Sequence, residues 1–321
     1  MAGSVRVSVV IAAFNAAESL ARAVASVTAQ SVRDLEILVV DDGSTDATAT
    51  IASALAAEDA RITVLGDGSN HGVSVARNTG FAAARGTWIA VLDADDAFAP
   101  DRLERLLAAA AAHRADMVAD DLAYWDWHAG QVSGHAIGGA PDEVERIDAE
   151  RFLANCITGR SPFDYGQLKV MIRREFVEQH GLRYLEGMRH GEDFMFYVHA
   201  LLAGAVFVRT GYPGYLYTQR VGAVSRTRSH VARTIENNDD MRARTVELLA
   251  LPQVMRAPRL AALLRRRARA IRWHASWEGV YHTLHDRQFG QVLVAATRDW
   301  RVPPLLARAL AARLAARVRR R

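Results

Sequence analysis

Cysteine, lysine and long apolar runs are all scarce in this 321-residue chain. A single cysteine, Cys156, excludes a disulfide framework and a cysteine-built zinc site, and it is compatible with a reducing compartment. No run reaches about 18 uninterrupted apolar residues, so no membrane-spanning helix is expected. The apolar stretch from Val7 to Ala13 is too short for a secretory leader, and no cleavage pattern accompanies it. The first apolar strand runs into AAFNAAES instead of GxGxxG, which argues against a Rossmann dinucleotide site, and no P-loop signature occurs. Among 40 basic residues only Lys169 is a lysine. Coding bias toward arginine accounts for the trend; the sharper reading is that arginine cannot replace Lys169.

What is present is uneven. The net charge is +4, yet Ala250 to Arg321 holds 16 arginines against 3 acids, a net of +13, which leaves −9 for Met1 to Leu249. An acidic body and a basic tail imply two different tasks. The body alternates buried-type strands with helically spaced segments. Strands are predicted at Val5–Ala13, Leu35–Val40, Arg61–Leu65 and Thr87–Leu92. Helices are predicted at Ala16–Gln30, Ala47–Ala57, Val73–Ala84 and Asp101–His113. This alternation predicts an α/β fold with a mainly parallel, doubly wound sheet, which binds ligands at the carboxyl ends of its strands. Two acidic clusters fall at such ends, Asp41/Asp42 and Asp93/Asp95/Asp96. Crowded carboxylates repel one another, so a cation is expected there. The hard oxygens of the D-x-D pair Asp93 and Asp95 suit Mg²⁺ or Mn²⁺, with a diphosphate completing the shell.

The segment from VSVVIAAFN through VDDGSTD and SVARN to VLDADDAF resembles the family 2 GT-A glycosyltransferases over about the first 110 residues. MIRREF, GEDFMFYVHALLAGA and YLYTQRVGAVS resemble the acceptor half of the bacterial exopolysaccharide, succinoglycan-type branch. The resemblance implies transfer from a nucleotide sugar, usually UDP-linked, with inversion at the anomeric carbon. It places Phe14 and Asn15 where the first strand opens onto the nucleotide. Asp42 matches the acid that pairs with uracil, with Asp41 supporting the turn, and Arg77 matches a basic residue near the nucleotide. Asp93 matches the acid near the ribose and metal, and Asp95 the direct metal ligand; Asp96 could simply cap the next helix. In GEDF, Asp193 matches the catalytic base and Glu192 its supporting acid. Independently of the resemblance, acids in a first helical turn also complement the helix dipole.

Other residues are assigned by type. His190, just before GED, and Lys169 with Arg173 are candidates for binding an acceptor acid or phosphate. Arg220, Ser225 and Arg226 lie where related enzymes place a loop over the diphosphate. His282 and His285 lack a third ligand, so no metal is expected there. QxxRW, expected of processive synthases, is missing, which favours single-residue transfer onto a glycan or lipid-linked glycan. The domain boundaries expected are 1–115 for the nucleotide-sugar half, 116–229 for the acceptor half and 230–321 for a helical basic region. That last region carries an i,i+4 stripe of Leu306, Leu310, Leu314 and Val318. It suits an anionic membrane surface, a homo-oligomer contact or a solvated appendage; without a recognition motif, nucleic acid is not expected. The implied location is cytoplasmic, peripheral on the inner membrane. A different class of reading is a non-catalytic GT-A scaffold acting through its tail, which would need neither set of acids.

Overall fold

The computed structural model describes residues 5–157, 161, 163–188, 190–219, 229–285, 302–304 and 307. By internal contacts the chain divides into two units, Met1–Cys156 with Arg160–Ala223, and Ile157–Gly159 with Val224–Arg321.

The first unit is built on an eight-stranded sheet in the order β3-β2-β1-β4-β10-β6-β11-β9. Its parallel half comprises β1 (Val7–Ala13), β2 (Leu35–Asp41), β3 (Ile62–Leu65) and β4 (Trp88–Asp93). Their β-branched, continuous apolar sequences follow from burial on both faces. Between them run α1 (Leu20–Thr28), α2 (Thr48–Glu58) and α3 (Val73–Ala83). Helix α1 starts four residues later than predicted and buries Leu20, Ala23, Val24 and Val27, a single helical stripe. Helix α3 lies directly on β1. A Cβ at Gly80 would fall 2.3 Å from Val10 Cγ1, so only glycine permits this approach.

A two-residue strand β5 (Ala97–Phe98) and helix α4 (Arg102–His113) follow, then β6 (Met117–Ala119), β7 (Leu122–Asp126), β8 (Gln131–His135) and β9 (Val144–Ile147). Helix α5 (Ala149–Asn155) leads to β10 (Met171–Arg173), α6 (Arg174–Gln179), α7 (Glu192–Leu202), β11 (Phe207–Thr210) and β12 (Tyr215–Gln219). Strand β10 pairs antiparallel with both β4 and β6, so the sheet becomes mixed beyond β4. A second sheet of four strands, β5-β12-β7-β8, stands beside the acid-bearing loop after β4.

The second unit contains α8 (Ser229–Glu247), α9 (Pro252–Met255) and α10 (Pro258–His285). Met241, Leu248, Val254, Leu264 and Ile271 are buried, and Arg267 is covered beside Met241. No helix among the described residues is long and apolar enough to cross a membrane. The stripe from Leu306 to Val318 lies outside the described residues.

Candidate active site

Both acidic clusters lie at the carboxyl ends of parallel strands, β2 and β4, that flank β1 on either side. At the end of β2, the Asp42 carboxylate accepts the amides of His71 at 2.8 Å and Gly72 at 2.9 Å. It therefore anchors the loop that opens α3. Asp41 accepts the Ser44 hydroxyl. Asn15 takes a left-handed φ of 51° and accepts the Thr45 amide at 2.8 Å, tying the end of β1 to the same turn. Phe14 beside it is 50% exposed.

Asp93, at the end of β4, enters a buried ion cluster. Its Oδ1 accepts Arg77 Nη2 at 2.8 Å, and its Oδ2 lies 2.9 Å from Lys169 Nζ. The other cationic contacts reach the first turn of α7, where Arg77 Nη1 donates to Glu192 Oε1 and Asp193 Oδ1, both at 2.9 Å. Lys169 Nζ donates to Asp193 Oδ2 at 2.9 Å. Two cations thus bridge three carboxylates drawn from a parallel strand and a helix far along the chain. Arg77 is 2% exposed and lies over the Tyr184 ring at 5.1 Å. Tyr184 is fixed by Asn78, whose side-chain amide donates to its carbonyl and accepts its amide, each at 2.9 Å.

The electrostatics follow from burial and pairing. Burial would raise the Asp93 pKa, but Lys169 and Arg77 outweigh it and hold the carboxyl far below the usual range. Burial would likewise lower the Lys169 ammonium and the Arg77 guanidinium; Asp193 and Asp93 reverse both shifts and keep the two groups charged. Asp96 behaves oppositely. Burial, reinforced by Asp93 and Asp95, pushes it up to about 8. Its oxygens accept the Tyr215 hydroxyl and the Thr218 amide, each at 2.7 Å. Asp96 is therefore more than a helix cap: it ties the loop after β4 to β12.

Asp95 is exposed, and both Asp93 oxygens contact cations. Among the described residues no three His, Cys, Asp or Glu side chains converge as a metal cage. Asp95 thus offers a hard ligand that needs phosphate oxygens to complete a shell, which fits Mg²⁺ or Mn²⁺ chemistry.

Several placements differ from expectation. Lys169 precedes β10 instead of lying in a strand, and its ammonium contacts Asp93 and Asp193, each at 2.9 Å. Arg173 is opposite Trp88, at the start of β4, and pairs with Asp116 at 3.3 Å. Five residues of strand, about 17 Å, separate that end from Asp93. His190 is exposed beside Gly191. Arg220, Ser225 and Arg226 lie outside the described residues.

Sequence reasoning passed over Arg22. It lies between the indoles of Trp127 and Trp125, at 5.2 and 5.9 Å, and donates to the Asp95 carbonyl at 2.7 Å and to Thr218. It also missed Arg102, which is fully buried, holds Asp120 through two bonds of 2.8 Å and donates to the Lys169 carbonyl at 2.7 Å. The only available signal was a lone arginine amid an apolar helical stripe, which ordinarily marks a solvated face.

A parallel half, acids at its strand ends and a mixed second half define a GT-A glycosyltransferase fold. Staphylococcus aureus TarS 1–349 bound to UDP-GlcNAc superposes with a TM-score of 0.62 at 21% identity, covering 81% of this chain and 72% of that one. The mannosyltransferase PcManGT from Pyrobaculum calidifontis, in complex with GDP-Man and Mn²⁺, gives 0.61 at 17% identity, covering 96% and 80%. The chain belongs to glycosyl transferase family 2, whose profile matches residues 8–181. It is similar to the succinoglycan biosynthesis protein ExoO of Rhizobium meliloti, 33% identical over 318 residues, 98% of this chain and 86% of that protein. ExoU of the same organism is 37% identical over 221 residues, 68% and 64% of the respective chains. A cholesterol galactosyltransferase of Borreliella burgdorferi is 29% identical over 227 residues, 68% and 62%.

Proposed function

We propose that this chain is an inverting, non-processive glycosyltransferase that moves a sugar from a UDP-linked donor to a hydroxyl of a glycan or lipid-linked glycan in bacterial polysaccharide assembly. The observation that carries the reading is the shared cluster. The acid of the D-x-D pair and the candidate base Asp193 are held by the same two cations, Arg77 and Lys169. A structural helix start needs acids for its dipole, but it does not need them buried against a second acid's counter-ions.

In this reading Phe14, Asn15, Asp41 and Asp42 frame the nucleoside, with Asp42 free to use a remaining lone pair toward the base. Asp93 faces the ribose side, and Arg220 and Ser225 are assigned by sequence resemblance to binding the diphosphate. Asp95 is the protein's direct ligand for a divalent cation, Mn²⁺ or Mg²⁺, which when bound offsets charge on the departing diphosphate. Arg77 and Lys169 hold the Asp193 carboxylate in place, one on each oxygen. Each Asp193 oxygen keeps a second lone pair, so the carboxylate can still accept the acceptor's hydroxyl proton. The acceptor oxygen then bonds to the anomeric carbon from the face opposite the diphosphate, whose oxygen leaves with the bonding pair. Glu192 supports Arg77, and His190 stands at the exposed entrance. The basic tail is assigned to an anionic membrane surface at the cytoplasmic face.

Calorimetry tests the donor half. UDP binds measurably with Mn²⁺ and much more weakly with EDTA, and Asp95→Ala removes most of that difference. Equal affinity with and without metal would sink the assignment.

A further inference from the structure

The second sheet brings an uncommitted aromatic pair to the acid loop. Side chains alternate along β12, so Tyr215 and Tyr217 stand on one face. Tyr215 directs its hydroxyl to Asp96 at 2.7 Å and accepts the Asp93 amide at 3.2 Å, so this face looks onto the acids. Strand β7 lies in parallel register, with Tyr124 opposite Tyr217. The two rings are 6.2 Å apart at 78°. Across β7 the neighbour of Tyr124 is Gly134, which places no side chain on the face. Tyr217 is 37% exposed and Tyr124 half-buried.

Two further facts separate this pair from ordinary core aromatics. Among the described residues neither phenol makes a hydrogen bond, whereas the buried Tyr215 and Tyr197 both do. The Tyr217 phenol is also raised above its ordinary pKa, by burial first and then by Asp96, with Asp95 and Asp93 adding and Lys169 opposing. The ring therefore sits within electrostatic reach of the acids at the end of β4.

Two rings with free hydroxyl edges match one ligand chemistry. The apolar C–H face of a pyranose stacks on an aromatic ring, and its equatorial hydroxyls meet the phenols. A sterol or polyprenyl chain would need a continuous apolar groove; here the pair is followed on the same face by Asp126 and Gln219. We infer that Tyr124 and Tyr217 form the acceptor subsite and that the acceptor presents a sugar ring, not a bare lipid or sterol hydroxyl. This assignment rests on the glycosyltransferase reading and gives its glycan acceptor a named binding surface.

Saturation-transfer NMR on the full chain with UDP and Mg²⁺ tests it. The probes are methyl β-glucoside, methyl β-galactoside and methyl α-mannoside, with octanol as a sugar-free alcohol. At least one glycoside receives saturation, strongest at its ring C–H protons, and octanol does not. Tyr217→Ala and Tyr124→Ala each weaken that binding roughly tenfold, the upper end of an aromatic pair's contribution, while Tyr217→Phe keeps most of it. UDP resonances in the same tube report the donor site. UDP binding without glycoside binding overturns the platform alone. Glycoside binding lost in Tyr217→Ala without UDP binding upholds the platform and overturns the donor reading. Unchanged glycoside signals in both alanine variants, or octanol binding as strongly as the glycosides, overturn the platform.

Discussion

Replacing Lys169 with methionine removes one of two cations from a cluster of three carboxylates while nearly preserving side-chain volume. The site is 7% exposed, so water cannot take the ammonium's place. Breaking a buried pair by removing one partner costs about 3–5 kcal/mol, and the volume-conserving swap adds little packing loss. The loss must depend on pH. In the intact cluster the Asp93 pKa is depressed, so its stabilising contribution is complete above the unfolded carboxylate value of about 4. That contribution is lost only as pH falls through the depressed folded value. Without Lys169, the larger of the two opposing charge effects, the depression is reduced and Arg77 alone sustains it. The stability gap between the two proteins therefore holds from neutrality down to about pH 4 and narrows only as pH falls below that value. Urea unfolding at several pH values, with the slope checked for constancy, measures it. A gap below about 1 kcal/mol at neutral pH, or one that does not change with pH, refutes the reasoning. The companion Lys169→Arg keeps the charge but adds bulk to a closed site, at a cost of about 1–3 kcal/mol. Wild-type stability of that variant would leave coding bias with no account of why this lysine persists.

Asp193→Asn lowers turnover by roughly two to four orders of magnitude while UDP–Mn²⁺ affinity changes little; near-normal transfer by a folded variant places the base elsewhere. Because the change also leaves Lys169 with a single acid, a melting curve accompanies the kinetics. Asp96 holds a proton in the folded state from the unfolded carboxylate value up to about 8, so its burial lowers stability as pH rises through that window. Asp96→Asn therefore stabilises the protein at alkaline pH and changes little at acid pH; an equal melting shift at both ends contradicts the burial argument. Removing residues from Val302 onward deletes six arginines, and binding to anionic vesicles falls and loses its salt dependence. Retention of vesicle flotation by the shortened chain assigns the attraction to another surface.

The parallel half was legible because its strands are buried on both faces. Val9, Ile11, Ile37 and Val39 leave a continuous apolar signal that polar turns interrupt sharply. The second sheet was not legible, since β8 reads QVSGH and is almost wholly exposed, with no alternation to detect. GEDF was correctly read as a helix start, but nothing near it announced that its acids meet Arg77. Ion pairs across such distances leave no periodicity. Lys169 and Arg173 were both read as candidates for an acceptor acid or phosphate, and they stand four positions apart in the sequence. On an extended backbone that spacing spans about 13 Å, enough to put one at each end of the sheet. The rarity of lysine was a better guide than its neighbourhood.

The ion cluster also has a bearing on the order in which the first unit assembles. Arg77 meets Asp93 across 16 residues of sequence, but Glu192 and Asp193 across 115 and 116. Closing the longer loop costs about 2 kcal/mol more entropy than closing the shorter one. Contacts of such high sequence separation form late, after local strand and helix pairing has already reduced the search. The parallel half can therefore acquire its shape during synthesis with Arg77 and Asp93 paired alone. The candidate base joins them only when α7 has been made and docked. The full set of three carboxylates is therefore completed only in the last step of assembly, and an incomplete chain would present the acids of the parallel half without the candidate base.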